Sequence, residues 1–120
     1  MIKGVGVDSI EIERVGKALE NPRFLARVFT PRERAFITGR GTLGTQSAAG
    51  LFAAKEAVVK ALGTGFNGIS LHDVEITHTD SGAPVVRLYG AAAAPGCTAH
   101  ISITHDKTKA LAFCVLEQAD

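Results

Sequence analysis

Ile2, Val5 and Val7 form a short apolar run that stops at Asp8, which predicts a buried strand from Ile2 to Asp8. Ile10, Ile12, Val15 and Leu19 then recur at helical spacing, so a helix capped by Asp8 or Ser9 is expected to reach about Glu20. Asn21-Pro22 breaks it, and Pro22 starts a short helical piece carrying Phe24, Leu25 and Val28. Thr30-Pro31-Arg32-Glu33 has the layout of a capping box with proline at the first helical position, so a helix from Pro31 to about Thr38 follows. Gly39 to Thr45 holds three glycines in seven residues and reads as a mobile loop. From about Gln46 to Leu62, Leu51, Phe52, Val58, Val59 and Leu62 supply bulk. Between them Ala48, Ala49, Gly50, Ala53, Ala54, Ala57 and Ala61 leave room for a neighbouring backbone. This is the main helix.

After Gly68 the period changes to that of sheet. Leu71 to His78 and Pro84 to Tyr89 are two arms of a hairpin about the turn Asp80-Ser81-Gly82-Ala83. Ala91 to Ala94 reads as a single helical turn before Pro95-Gly96. Thr98 to Thr104 and Lys109 to Glu117 form a second hairpin around His105-Asp106-Lys107-Thr108. With no repeat and no linker, the pattern predicts one α+β domain over 1–120: a long helix packed on a mostly antiparallel sheet, with small helices near the start.

Composition narrows the function classes. The chain is 46% hydrophobic and 21% charged with a formal net charge of +1, so bulk charge points to neither nucleic acid nor membrane. No apolar stretch approaches the length of a membrane span, and Met1-Ile2-Lys3-Gly4 lacks the layout of a signal peptide. Cys97 and Cys114 have no metal or redox spacing and sit among apolar residues, as small core side chains in a cytoplasmic protein. The bases are uneven: Lys3, Arg14, Lys17, Arg23, Arg27, Arg32, Arg34 and Arg40 fall in the first third, which suits an acidic partner or an ordinary solvated surface.

Chemistry concentrates in Phe52-Ala53-Ala54-Lys55-Glu56-Ala57-Val58-Val59-Lys60-Ala61-Leu62-Gly63-Thr64-Gly65. Glu56 and Lys60 stand four residues apart on one helix face, a potential metal ligand beside a potential phosphate-binding ammonium, with a glycine turn just beyond. The alternative is a solvated ion pair on a helix that ends in a glycine cap. Gly63-Thr64-Gly65 lacks the ending of a P-loop. Asp8 closes the first strand, either as a helix cap or as a rigid carboxylate suited to Mg²⁺, which takes one or two protein carboxylates and completes its shell with water and substrate oxygens. His105 closes another strand, as a solvent-exposed turn residue or as a catalytic hydrogen-bond partner or proton carrier beside phosphates. His72, His78 and His100 have no ligand spacing and read as structural or surface residues.

Gly6-Val7-Asp8, Phe29-Thr30-Pro31-Arg32-Glu33, the Phe52–Ala61 segment and Ile101-Ser102-Ile103-Thr104-His105 occur in that order. Together they resemble the signature of the holo-acyl-carrier-protein synthases, the short, homotrimeric branch of the 4′-phosphopantetheinyl transferases. The resemblance covers nearly the whole chain. It implies the transferase fold, with Mg²⁺ on Asp8 and Glu56, and Lys60 on the phosphates of coenzyme A. Gly63, Thr64, Gly65, Pro84, Ser102, Thr104 and His105 would lie along coenzyme A in a cleft between adjacent subunits. Arg14, Arg23, Phe24 and Arg27 match the surface that receives acyl carrier protein.

The implied reaction is attack by a serine hydroxyl of the apo carrier on the β-phosphorus of coenzyme A, leaving adenosine 3′,5′-bisphosphate and serving fatty acid or polyketide biosynthesis. The serine proton would pass to Glu56 or to a water that Glu56 orients; the water is preferred, because a carboxylate on Mg²⁺ is a poor base. Two departures stand out. Leu51 occupies the place where many relatives carry arginine, and the 39–45 segment holds Arg40 as its one cation. Arg40, from a neighbouring subunit, is the candidate for the 3′-phosphate. The competing classes are a carrier-binding module without chemistry and a Mg²⁺-dependent pyrophosphate hydrolase; intact Asp8, Glu56 and Lys60 speak against the first.

Overall fold

The computed structural model describes residues 1–63 and 68–120. Strand β1 (Ile2–Glu11) leads into helices α1 (Ile12–Ala18), α2 (Pro22–Val28) and α3 (Pro31–Gly39). The long helix α4 (Gly44–Leu62) is followed by strands β2 (Val74–His78), β3 (Pro84–Leu88), β4 (Cys97–His105) and β5 (Lys109–Gln118). The class is α+β, as the pattern predicted, but the strands divide into two antiparallel sheets, one ordered β1-β5-β4 and one made of β2-β3.

Local chemistry accounts for most boundaries. The Asn21 side chain accepts the Arg23 N–H at 2.9 Å and caps α2, with Pro22 at its first position. Thr30 and Glu33 cap α3 reciprocally: Thr30 Oγ1 accepts the Glu33 N–H at 3.3 Å and Glu33 Oε1 accepts the Thr30 N–H at 2.9 Å. α4 ends on Gly63 in the left-handed region, φ 76°, where a glycine carries no Cβ penalty.

Three expectations are corrected. β1 runs three residues past Asp8, because Ser9, Ile10 and Glu11 pair with Leu111, Ala110 and Lys109 of β5. The first helix therefore starts at Ile12, preceded by Glu11 with no side-chain cap, and Asp8 is a strand residue opposite Ala112. Nor is β1 buried on both faces: Val5 is 58% and Val7 50% exposed. The 39–45 segment is no open loop; α3 reaches Gly39, Gly41–Leu43 form a 3₁₀ turn and α4 begins at Gly44.

The core lies between α4 and the inner face of β1-β5-β4, where Ala48, Ala53, Ala54, Ala57 and Val58 meet Ala110, Ala112 and Cys114 with no exposed surface. Burial pushes the Cys114 thiol up to about 11, as fits a core side chain, while Cys97 is half-buried.

Candidate active site

β1 crosses α4 backbone against backbone. A Cβ on Gly6 would stand 2.0 Å from the Ala57 carbonyl oxygen, and one on Gly4 2.0 Å from that of Ala61, so only glycine fits at either position. That contact delivers Asp8 to the outward face of the helix's second half. Lys60 Nζ donates to Val7 O at 2.9 Å and to Asp8 Oδ1 at 3.1 Å. Its recorded ion pair is thus with Asp8 rather than with Glu56 one turn earlier. The Glu56 carboxyl is pushed above the ordinary carboxylate range, first by burial and then by the Asp8 charge, with Lys60 pulling the other way. Asp8, Glu56 and Lys60 therefore form one cluster.

The cluster fits Mg²⁺ by its donor chemistry. A half-buried Glu56 whose charge is disfavoured by burial and by the neighbouring Asp8 gains from a divalent cation beside it, and an all-oxygen set suits a hard ion. Among the described residues no group of three or more His, Cys, Asp or Glu side chains gathers to make a closed metal cage. An open, two-carboxylate site is what an ion shared with a substrate requires.

The first half of α4 borders a cavity of about 500 Å³ lined by Arg40, Gln46, Ser47, Leu51, His78, Pro84, Ser102 and His105 among others. Gln46 Nε2 lies 2.7 Å from His105 Nε2 and steadies the ring. The turn after His105 is held by Asp106 Oδ1, which accepts the N–H groups of Thr108 at 2.8 Å and Lys109 at 2.7 Å; these bonds keep the Asp106 carboxyl below its usual range. Arg40 Nε donates to Ser47 Oγ at 3.3 Å. Of the residues expected along coenzyme A, the cavity thus brings together Arg40, Pro84, Ser102 and His105. Thr104, which lies across from Leu111 on the same sheet face as Ser102, is not among its lining residues. Gly63 caps the far end of α4, and Thr64 and Gly65 lie outside the described residues. The α4 lining of the cavity runs from Gln46 to Leu51, and Glu56 follows five residues later, about 7.5 Å along the helix.

Residues 4–114 match the family described as the 4′-phosphopantetheinyl transferase superfamily. The chain belongs to that superfamily. The enzyme is 49% identical over 123 residues to the holo-[acyl-carrier-protein] synthase of Clostridium acetobutylicum, a match covering 98% of each chain. It is 44% identical over 127 residues to that of Clostridium perfringens, covering 98% of this chain and 95% of the relative. Among solved structures, the holo-(acyl-carrier-protein) synthase of Bacillus anthracis in complex with CoA (3′,5′-ADP) superposes with a TM-score of 0.87 at 39% identity over 99% of both chains. The Helicobacter pylori holo-[acyl-carrier-protein] synthase in complex with coenzyme A gives 0.81 at 29% identity, over 94% of this chain and 99% of that one. The transferase is thus placed among the holo-acyl-carrier-protein synthases, and its α+β architecture is theirs.

On the transferase's outer helices, Arg14 of α1 and Arg23 and Arg27 of α2 are exposed. Phe24 is half-buried, edge-on to Phe29 with centroids 6.1 Å apart and tilted against Phe52 at 5.8 Å, so much of its ring serves the core. Sequence reasoning passed over a second charged pair. Lys55 and Glu33 have fully buried side chains, with Nζ 2.5 Å from Oε1. Lys55 Nζ also donates to Val74 O, and Glu33 Oε2 accepts the Ile76 N–H at 2.8 Å. The available signal was a lysine flanked by Ala53, Ala54, Val58 and Val59 on the apolar side of the helix.

Proposed function

We propose that the enzyme transfers the 4′-phosphopantetheine arm of coenzyme A to a serine of apo acyl carrier protein and releases adenosine 3′,5′-bisphosphate. The observation that carries this reading is the meeting of Asp8, Glu56 and Lys60 where β1 crosses α4, in a chain related over nearly its whole length to holo-acyl-carrier-protein synthases. Asp8 and Glu56 hold Mg²⁺, which when bound neutralises charge on the pyrophosphate oxygens as a Lewis acid. Lys60, whose side chain is 53% exposed, turns its ammonium to the phosphates and stabilises the charge that develops as the bond to the leaving group breaks. The serine proton goes to Glu56 or to a water that Glu56 orients. His105 and Pro84 line the path of coenzyme A, and Arg40 meets its 3′-phosphate. Arg14, Arg23 and Arg27 receive the acidic carrier.

The working unit is a homotrimer with its sites at subunit interfaces. One observation supports this. Val5, Val7, Leu111 and Phe113 share the outer face of β1-β5-β4, each at least 40% exposed, an apolar patch that a second copy would cover. The enzyme serves fatty acid or polyketide biosynthesis in the cytoplasm.

Intact-mass spectrometry of apo acyl carrier protein incubated with the enzyme, coenzyme A and Mg²⁺ tests the reading. A gain of one phosphopantetheine arm is expected, absent with Asp8→Ala or Glu56→Ala enzyme of unchanged circular dichroism. No gain with a folded wild-type enzyme that binds coenzyme A would refute it.

A further inference from the structure

The cavity beside the first half of α4 has an unusual set of charges. Three of its lining side chains can carry positive charge: Arg40 from the end of α3, His78 from the end of β2 and His105 from the end of β4. Among the described residues no carboxylate lines it; α4 contributes Gln46, Ser47, Gly50 and Leu51, and β3 contributes Pro84, none of which titrates. Arg40 and His78 converge on one ring. The His78 imidazole stacks on Phe36 with centroids 4.2 Å apart and planes 14° from parallel, and the Arg40 guanidinium carbon lies 5.8 Å from the same centroid. Among the described residues neither the guanidinium nor the imidazole pairs with a carboxylate, so an anion seated against this platform would meet an exposed cation and a protonatable ring together.

We propose that Arg40 and His78, seated on Phe36, form the subsite for a phosphomonoester dianion, the 3′-phosphate of coenzyme A, and that this phosphate binds with uptake of a proton at His78. The proposal rests on the transferase reading for the identity of the ligand and adds His78 as a specificity residue. The 3′-phosphate is the one monoester phosphate on coenzyme A, and so the group best able to hold two charges near neutral pH. In the free enzyme burial, and then the Arg40 charge, hold the imidazole below its ordinary value, so His78 is neutral at neutral pH. A dianion between the two offsets both effects and raises it. Free phosphomonoester itself takes up a proton near pH 6, which weakens binding at lower pH, so the protein's contribution appears between about pH 6 and about pH 8.

Calorimetry with adenosine 3′,5′-bisphosphate and adenosine 5′-monophosphate, in buffers of different ionisation enthalpy across that range, reads the proton directly. Wild-type enzyme should prefer the bisphosphate and take up a proton on binding it, with the preference shrinking toward pH 8. His78→Gln should abolish that uptake, and Arg40→Gln should cut the preference about tenfold, the loss of one charged hydrogen bond. Equal affinity for the two nucleotides, uptake unchanged in His78→Gln, or uptake lost instead in His105→Gln would each overturn the subsite. Carrier modification, run in parallel with coenzyme A and its 3′-dephospho form, separates the two readings. If phosphate binding behaves as stated but no carrier is modified, the transferase reading fails and the subsite stands. If transfer proceeds and neither variant changes the preference for coenzyme A, the subsite alone fails.

Discussion

Lys55 and Lys60 sit five residues apart on α4, each paired with a carboxylate far away in sequence, yet they do opposite work. Lys55 is sealed: its side chain and that of Glu33 have no exposed surface, and Glu33 also accepts backbone N–H groups from Thr30 and Ile76. Burial lowers the Lys55 ammonium from its ordinary value, and Glu33 counters that by holding the proton on. Around this pair Thr30 Oγ1 donates to Glu75 Oε2 at 2.7 Å, so α3, α4 and β2 are joined through one satisfied polar network. Among the described residues Lys60 has one carboxylate partner, Asp8, and its side chain is half open to solvent. A charge that anchors a fold must have every bond met inside the protein, whereas a charge that meets a substrate must keep bonds to spare.

The contrast breaks most severely at Lys55. Lys55→Ala leaves Glu33 buried without its counter-ion and should cost about 3–5 kcal/mol in chemical denaturation. Replacing both partners by apolar residues, Lys55→Met with Glu33→Leu, should recover most of that loss. A single variant of near wild-type stability would mean that the pair is not an anchor. Lys60→Ala should do the reverse. Turnover is expected to fall about 10²-fold, as for loss of one charge-stabilising donor, while stability changes by less than about 1 kcal/mol, as for an exposed pair. Carrier affinity measured alongside should hold; an equal loss of carrier binding and turnover would remove Lys60 from the phosphates. The smallest effect is in salt dependence. The coupling between Lys60 and Asp8 in a double-mutant cycle should shrink between low and high salt, because half-exposed charges are screened. The coupling between Lys55 and Glu33 should stay constant, and matching salt slopes would erase the distinction.

The legible parts of the site are those whose chemistry is local. Glu56 and Lys60 share a face by helical spacing alone, Gly63 stops the helix as a left-handed cap, and Thr30 with Glu33 forms the expected box. The motif resemblance placed Asp8 with Glu56, and the structure gives a steric reason: Gly4 and Gly6 let β1 touch the α4 backbone. His78 was not legible as anything but a surface or structural residue, since it ends strand β2 and its neighbours Phe36 and Arg40 come from α3 and the residue after it. Lys55 was hidden for the same reason, because its partner Glu33 stands 22 residues away.

Where local pattern and long-range pairing disagreed, pairing prevailed. Ile10 and Ile12 fit a helical stripe, yet three more rungs with β5 hold residues 9–11 in the strand and delay α1. Three glycines suggested a loose 39–45 loop, yet Gly44 lies buried against the Ile37 carbonyl, where a Cβ would come within 3.0 Å, and the helix starts there. By itself, the sequence determined the capping box of α3, the glycine stop of α4, the hairpin turns and the identity of the motif residues, because each depends on neighbours within a few positions. Only the tertiary structure decided which lysine is entombed and which is free, which residues share the cavity, and which sheet face is left bare. Those outcomes depend on strand register and on helix-to-sheet contact between residues that are distant along the chain.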